Sequence, residues 1–170
     1  MKLDIIKFPD QFCNKWLNDE VEIDYQAIQN LGWRCVLAPD ILNPMEAEWL
    51  AESAKLLVGP HSIALNFEYG GVADAQVIDN TRDCILDYQS KFNHNYIMIT
   101  STDEQFLYYK DQLNRYFMIC GEPSFTKEAY RCSDSTAKHM FFDWIDQDFN
   151  NTVEKDYLAK IWSKYRSCGN

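Results

Sequence analysis

Residues 96–120 read YIMITSTDEQFLYYKDQLNRYFMIC, and within them lie three strand-like runs, Tyr96 to Thr100, Gln105 to Lys110 and Tyr116 to Cys120. Each run is dense in the β-branched and aromatic side chains that fit a pleated surface. The second and third flank Asp111-Gln112-Leu113-Asn114, a four-residue hairpin loop, so they are expected as antiparallel neighbours. A chain built around such a hairpin is expected to carry a mostly antiparallel sheet.

Further strands are read toward the N-terminus. His61 to Tyr69 alternates, with Ile63, Leu65, Phe67 and Tyr69 on one face, and Gly70-Gly71 stops it. Gln76-Val77-Ile78 and Gly32 to Leu37 read as short strands. Helices fill the intervals. Asn43 is a cap residue with Pro44 at the first helical position, and Gly59-Pro60 ends the helix that follows. Thr81 opens a helix through about Phe92 whose inward residues are Cys84, Ile85, Tyr88 and Phe92. Pro123 starts a short helix through about Arg131. Ser133 or Ser135 caps the next, with Ala137, Met140, Phe141, Trp144 and Ile145 as its buried stripe. Asn151 and Glu154 resemble a capping box at the start of a last helix, whose apolar face runs from Val153 to Tyr165. The opening, up to about Leu17, is expected as a short strand and a helical turn around Pro9. The whole reads as a single α+β domain over residues 1–170, a sheet of about four to five strands packed with helices.

Composition narrows the function. The 170 residues hold 46% hydrophobic side chains, enough for a real core without staples. Sixteen Lys and Arg against 26 Asp and Glu leave a net charge of −10. Such a surface repels nucleic-acid phosphates and anionic lipid, so neither direct nucleic-acid binding nor membrane binding is expected. It favours a basic partner instead. No apolar stretch approaches the roughly 20 residues of a membrane span. The six cysteines have no paired spacing, and the opening residues lack the apolar run of a secretory signal, so reduced thiols in a cytoplasmic protein are expected.

Catalytic signatures are missing from the sequence. There is no Cys-x-x-Cys, no His-Glu-x-x-His, no phosphate-binding loop and no nucleophile elbow, so neither metal nor cofactor is expected. His61, His94 and His139 stand apart from one another. Carboxylate pairs are the salient feature. Asp83 and Asp87, and Asp143 and Asp146, fall at helical spacing, where like charges destabilise a helix by a few tenths of a kcal/mol. A metal nuclease would need a basic surface for its substrate, so an acidic docking surface is the preferred reading. Residues 19–24, 68–87 and 134–156 each carry a net charge of −4. Phe142 is read at the solvent edge of its helix, beside Lys138 and Asp146, either as an anchor ringed by charge or as a ring covered by the C-terminal helix. The candidate partner-binding residues are therefore Asp143, Asp146 and Phe142, with Asp79, Asp83 and Asp87 as a second face.

In size, acidity, aromatic content and lack of catalytic motifs, the chain resembles the small immunity proteins of bacterial contact-dependent growth inhibition systems. Those proteins share no common motif, so the resemblance assigns no residue. It implies cytoplasmic residence and a basic protein toxin as partner, often a nuclease, whose active site or substrate surface is blocked. Acidic charge would then speed encounter and mimic a phosphate substrate. Two readings of other classes stand beside it: a small cytoplasmic hydrolase with a dispersed Cys/His or carboxylate site, and an adaptor domain. An enzyme should show a deep pocket with converging polar groups, and an inhibitor a broad, acidic, partly apolar surface.

Overall fold

The computed structural model describes residues 2–166 and 168, with side chains from Pro9 onward. In chain order the elements are α1 (Lys2–Trp16), α2 (Tyr25–Asn30), β1 (Arg34–Pro39), α3 (Pro44–Val58), β2 (His61–Phe67), β3 (Asp74–Asp79), α4 (Arg82–Lys91), β4 (Tyr96–Thr100), β5 (Phe106–Lys110), β6 (Tyr116–Gly121), α5 (Pro123–Ala129), α6 (Asp134–Asp148) and α7 (Thr152–Arg166). The strands form one sheet in the order β1-β6-β5-β4-β2-β3, and every neighbouring pair is antiparallel. The α+β domain expected from the sequence is therefore observed, with six strands where about four to five were expected. The three runs of residues 96–120 lie side by side inside the sheet. The short runs β1 and β3, weak signals on their own, complete its two edges.

Helices cover both faces, which is why β5 and β6 are buried along their whole length rather than alternating. Register makes Leu37, Met118, Tyr109, Met98 and Leu65 one row across the sheet. The next row, Val36, Ile119, Tyr108, Ile99 and Ala64, points to the opposite face because side chains alternate. On the first face the Tyr109 hydroxyl donates to the Val21 carbonyl at 2.6 Å, and the Tyr165 hydroxyl of α7 donates to the Ile23 carbonyl. On the second face the Tyr108 hydroxyl donates to Gln89 of α4 at 3.1 Å. The same Gln89 side chain bonds both the N–H and the carbonyl of Leu42.

Several local expectations are met by the caps. Asn43 and Glu46 form a complete capping box on α3, Thr81 accepts from Cys84 N on α4, and Ser133 accepts from Thr136 N on α6. Others are corrected. The opening is one helix, α1, with Pro9 inside it. Proline removes a helical hydrogen bond, but Phe12 and Trp16 lie one turn apart, both are buried, and Trp16 stacks on Trp33 at 5.4 Å. Tertiary burial outweighs the local break. Tyr69 does not extend β2; the strand ends at Phe67 and Tyr69 is 70% exposed. Met140 is not part of the buried stripe of α6, being 38% exposed while Ala137, Phe141 and Ile145 are buried. Asn151 does accept from Val153 N, but the Glu154 carboxylate pairs with Arg115 at 3.2 Å.

Candidate functional site

The acidic segments divide once their side chains are placed. In residues 19–24, Asp24 caps α2 by accepting from Gln26 N at 2.9 Å. Glu22 is buried and accepts from the Tyr157 hydroxyl at 3.1 Å. This segment is largely structural. On α6, Asp143 and Asp146 are exposed, and Asp143 lies 3.2 Å from His139 Nε2. Phe142 is half-buried and packs edge-on against Trp162 of α7, with ring centroids 5.9 Å apart. The expected aromatic anchor is thus turned into the α6–α7 contact, and the exposed groups near Asp143 and Asp146 include Lys138, His139 and Met140.

Asp79, Asp83 and Asp87 are differently placed. Asp79 ends β3, and the Asp79 carbonyl accepts from Thr81 N at 2.8 Å, the residue that caps α4. One short link thus fixes the strand end to the helix start, so both elements present their acids from a rigid frame. Asp79 and Asp87 line the same groove of about 320 Å³ between β3 and α4, together with Val77, Cys84 and Lys91. Asp83 borders the next hollow with Glu48 and Arg82. The Arg82 guanidinium donates to Asp83 at 3.0 Å, and Asp83 with Glu48 holds it above its ordinary pKa. His61 Nδ1 lies 2.9 Å from Asp79 Oδ1. Asp74 and Asp87 make no ion pair among the described residues.

Apolar surface that sequence reasoning missed lies on β3, where Val77 adjoins these acids, and in the turn at the strand's other end. Val77 on β3 is 52% exposed, and Tyr69 and Val72, in the β2–β3 connection, are 70% and 84% exposed. The usable signal was Gly70-Gly71, which closes the strand early enough to leave Tyr69 in the turn rather than on the inward face. Exposed aromatic and aliphatic groups rimmed by charge are the usual make-up of an interface core and its rim.

Two other depressions are lined by groups held in structural contacts. A cavity of about 120 Å³ between β1, α6 and α7 is lined by Cys35, Trp162 and Arg166 among others, and its Arg34 is paired with Asp134. Cys35 sits opposite Cys120 in the β1–β6 register, with the sulfurs 3.0 Å apart. The Cys120 contact and then burial push the Cys35 thiol well up, the reverse of what a nucleophile needs. All six cysteines carry free thiols. His61 shares a shallow hollow with Ser101 and Asp103. There the Ser101 hydroxyl donates to Asp103 at 2.8 Å and accepts from Gln105 N at 2.9 Å, so it organises a turn. Among the described residues no group of three or more His, Cys, Asp or Glu side chains is arranged to hold a metal ion, and no helix is long and apolar enough to cross a membrane. Comparison with protein-family models, with curated proteins and with solved structures finds no match to this chain.

Proposed function

We propose that the protein is a non-catalytic binder of a basic protein, and that it docks that partner on the β3–α4 face. The observation that carries this reading is the meeting of Asp79 and Asp87 with exposed Val77 in one groove, with Asp83 on the adjoining hollow. Acidic groups on a rigid frame steer a cationic partner and set its orientation, while the apolar groups lose water on contact and supply affinity. The class that fits is an immunity protein or antitoxin, resident in the cytoplasm, whose partner is a basic toxin such as a nuclease. The acids would then occupy the positions of substrate phosphates. The test is growth rescue. Co-production of this chain should protect cells that express the toxin encoded beside its gene. The triple variant Asp79→Asn, Asp83→Asn, Asp87→Asn should fold but lose protection. Failure to protect, or full protection by the triple variant, overturns the proposal.

A further inference from the structure

The β3 strand is an edge of the sheet. It pairs with β2 on one side, and among the described residues no strand lies on the other. The direction of its free groups follows from the register. Asn80 N donates to the Pro60 carbonyl at 2.8 Å, which makes residues 60 and 80 a hydrogen-bonded pair. Hydrogen-bonded and non-bonded pairs alternate along antiparallel strands. Asp79 opposite His61, Val77 opposite Ile63 and Ala75 opposite Leu65 are therefore the non-bonded pairs. The N–H and C=O groups of Ala75 and Val77 point away from β2, as does Asp79 N–H, whereas the Asp79 carbonyl is already taken by Thr81 N.

Edges of this kind are normally protected by lysine, proline, a bulge or a covering element. β3 reads Asp-Ala-Gln-Val-Ile-Asp, with neither lysine nor proline, and its register against β2 runs unbroken over six residues. α1 lies near this strand yet leaves Val77 half exposed. The charge around the edge is mostly acidic: Asp74 and Asp79 on the strand, Glu68 before it and Asp87 across the groove, against Lys91 at the groove's far side.

We propose that the partner docks by strand addition: an extended segment bearing Lys or Arg at alternate positions pairs with β3 and becomes the next strand of the sheet. The inference rests on the acidic-face reading above and specifies how that face is used. The open N–H and C=O groups of Ala75 and Val77 supply the main-chain bonds, and the flanking carboxylates select basic side chains.

The experiment uses the intact protein and a short peptide of alternating Lys and Val, titrated at low salt. The peptide should bind and slow amide exchange at Ala75 and Val77. A copy N-methylated at alternate residues along one edge should bind about tenfold or more weakly, because main-chain bonds carry the affinity of this mode. Val77→Pro should behave likewise; its missing N–H lies on the open side, so the β2–β3 ladder is preserved. Should Val77→Pro fail to fold, the N-methylated peptide and the exchange pattern still decide. Weaker binding by Asp79→Asn with Asp87→Asn, but no effect of N-methylation or of Val77→Pro and no protection at Ala75 and Val77, overturns strand addition while the acidic docking face stands. Binding indifferent to the two Asp→Asn changes overturns the acidic-face reading itself. A peptide that does not bind at low salt overturns strand addition.

Discussion

Lys110 shows how far one residue can depart from its local reading. It closes a strand in the sequence, where a lysine is ordinarily solvated, yet its side chain is fully buried. Its ammonium donates to the Asn93 carbonyl at 3.1 Å, the Asp111 carbonyl at 3.0 Å and Asn114 Oδ1 at 2.6 Å, one partner for each proton. Burial lowers its pKa to about 8, with Asp111 opposing. The folded state therefore binds fewer protons than the unfolded chain between about 8 and the ordinary 10.5, and stability should rise with pH across that window. Lys110→Met should remove this rise, measured as urea midpoints at successive pH values. It should also destabilise the protein by roughly 1–3 kcal/mol, because three buried acceptors lose their donor. A midpoint that does not move with pH in the parent protein would sink the assignment. Sequence could not supply this residue, since its partners come from the α4–β4 connection and the β5–β6 turn. Nor could it pair Cys35 with Cys120, 85 positions apart and joined only by register.

At the scale of elements, α6 separates what is legible from what is not. Its cap and the buried positions Ala137, Phe141 and Ile145 follow from spacing alone. Phe142 and Met140 do not, because their exposure depends on where α7 lies: α7 covers Phe142 with Trp162 and leaves Met140 open. The same dependence hid α1, where Pro9 masks a helix that the burial of Phe12 and Trp16 sustains. Phe141, fully buried between Phe142 and Trp162, should cost about 3–5 kcal/mol when truncated to Ala. Asp143→Asn with Asp146→Asn should leave the thermal midpoint within about 2 °C, as surface changes usually fall within ±0.5 kcal/mol. With its aromatic turned inward, this face should also leave partner affinity unchanged. A loss of rescue in that double variant, equal to the loss in the β3–α4 triple, would move docking to α6.

Across the whole molecule, two charge effects act on different observables, one set by pH and one by salt. The first is set by burial of tyrosines. Tyr88 is pushed up to about 12 by desolvation, and Tyr96, Tyr108, Tyr109 and Tyr116 are raised by the same cause. A folded pKa above the unfolded value means stability that is intact below the ordinary 10.0 and lost as pH climbs through the folded values. Circular dichroism should therefore show cooperative unfolding above pH 10, with tyrosinate absorbance rising in the same step rather than before it. Ionisation that precedes unfolding would mean the rings are accessible.

The second effect concerns the net charge of −10, which was legible in the sequence as a magnitude but not as a direction. The fold redistributes it. Glu22 and Asp24 are spent on burial and capping, Asp111 and Glu154 on Arg115, and Asp134 on Arg34. Exposed carboxylates remain on the β3–α4 face, where Asp74 and Asp87 make no ion pair among the described residues, and on α6, where Asp146 and Asp148 make none. Association with a basic partner should accordingly slow steeply with ionic strength, since screening shortens to about 8 Å at physiological salt. Stopped-flow rates over a salt series should give a slope that Asp79→Asn, Asp83→Asn, Asp87→Asn flattens markedly and Asp143→Asn, Asp146→Asn changes little. Steering depends on where charge sits and not only on its sum, so equal flattening by both variants would mean that the partner responds to the bulk charge of the molecule and that no single face guides it.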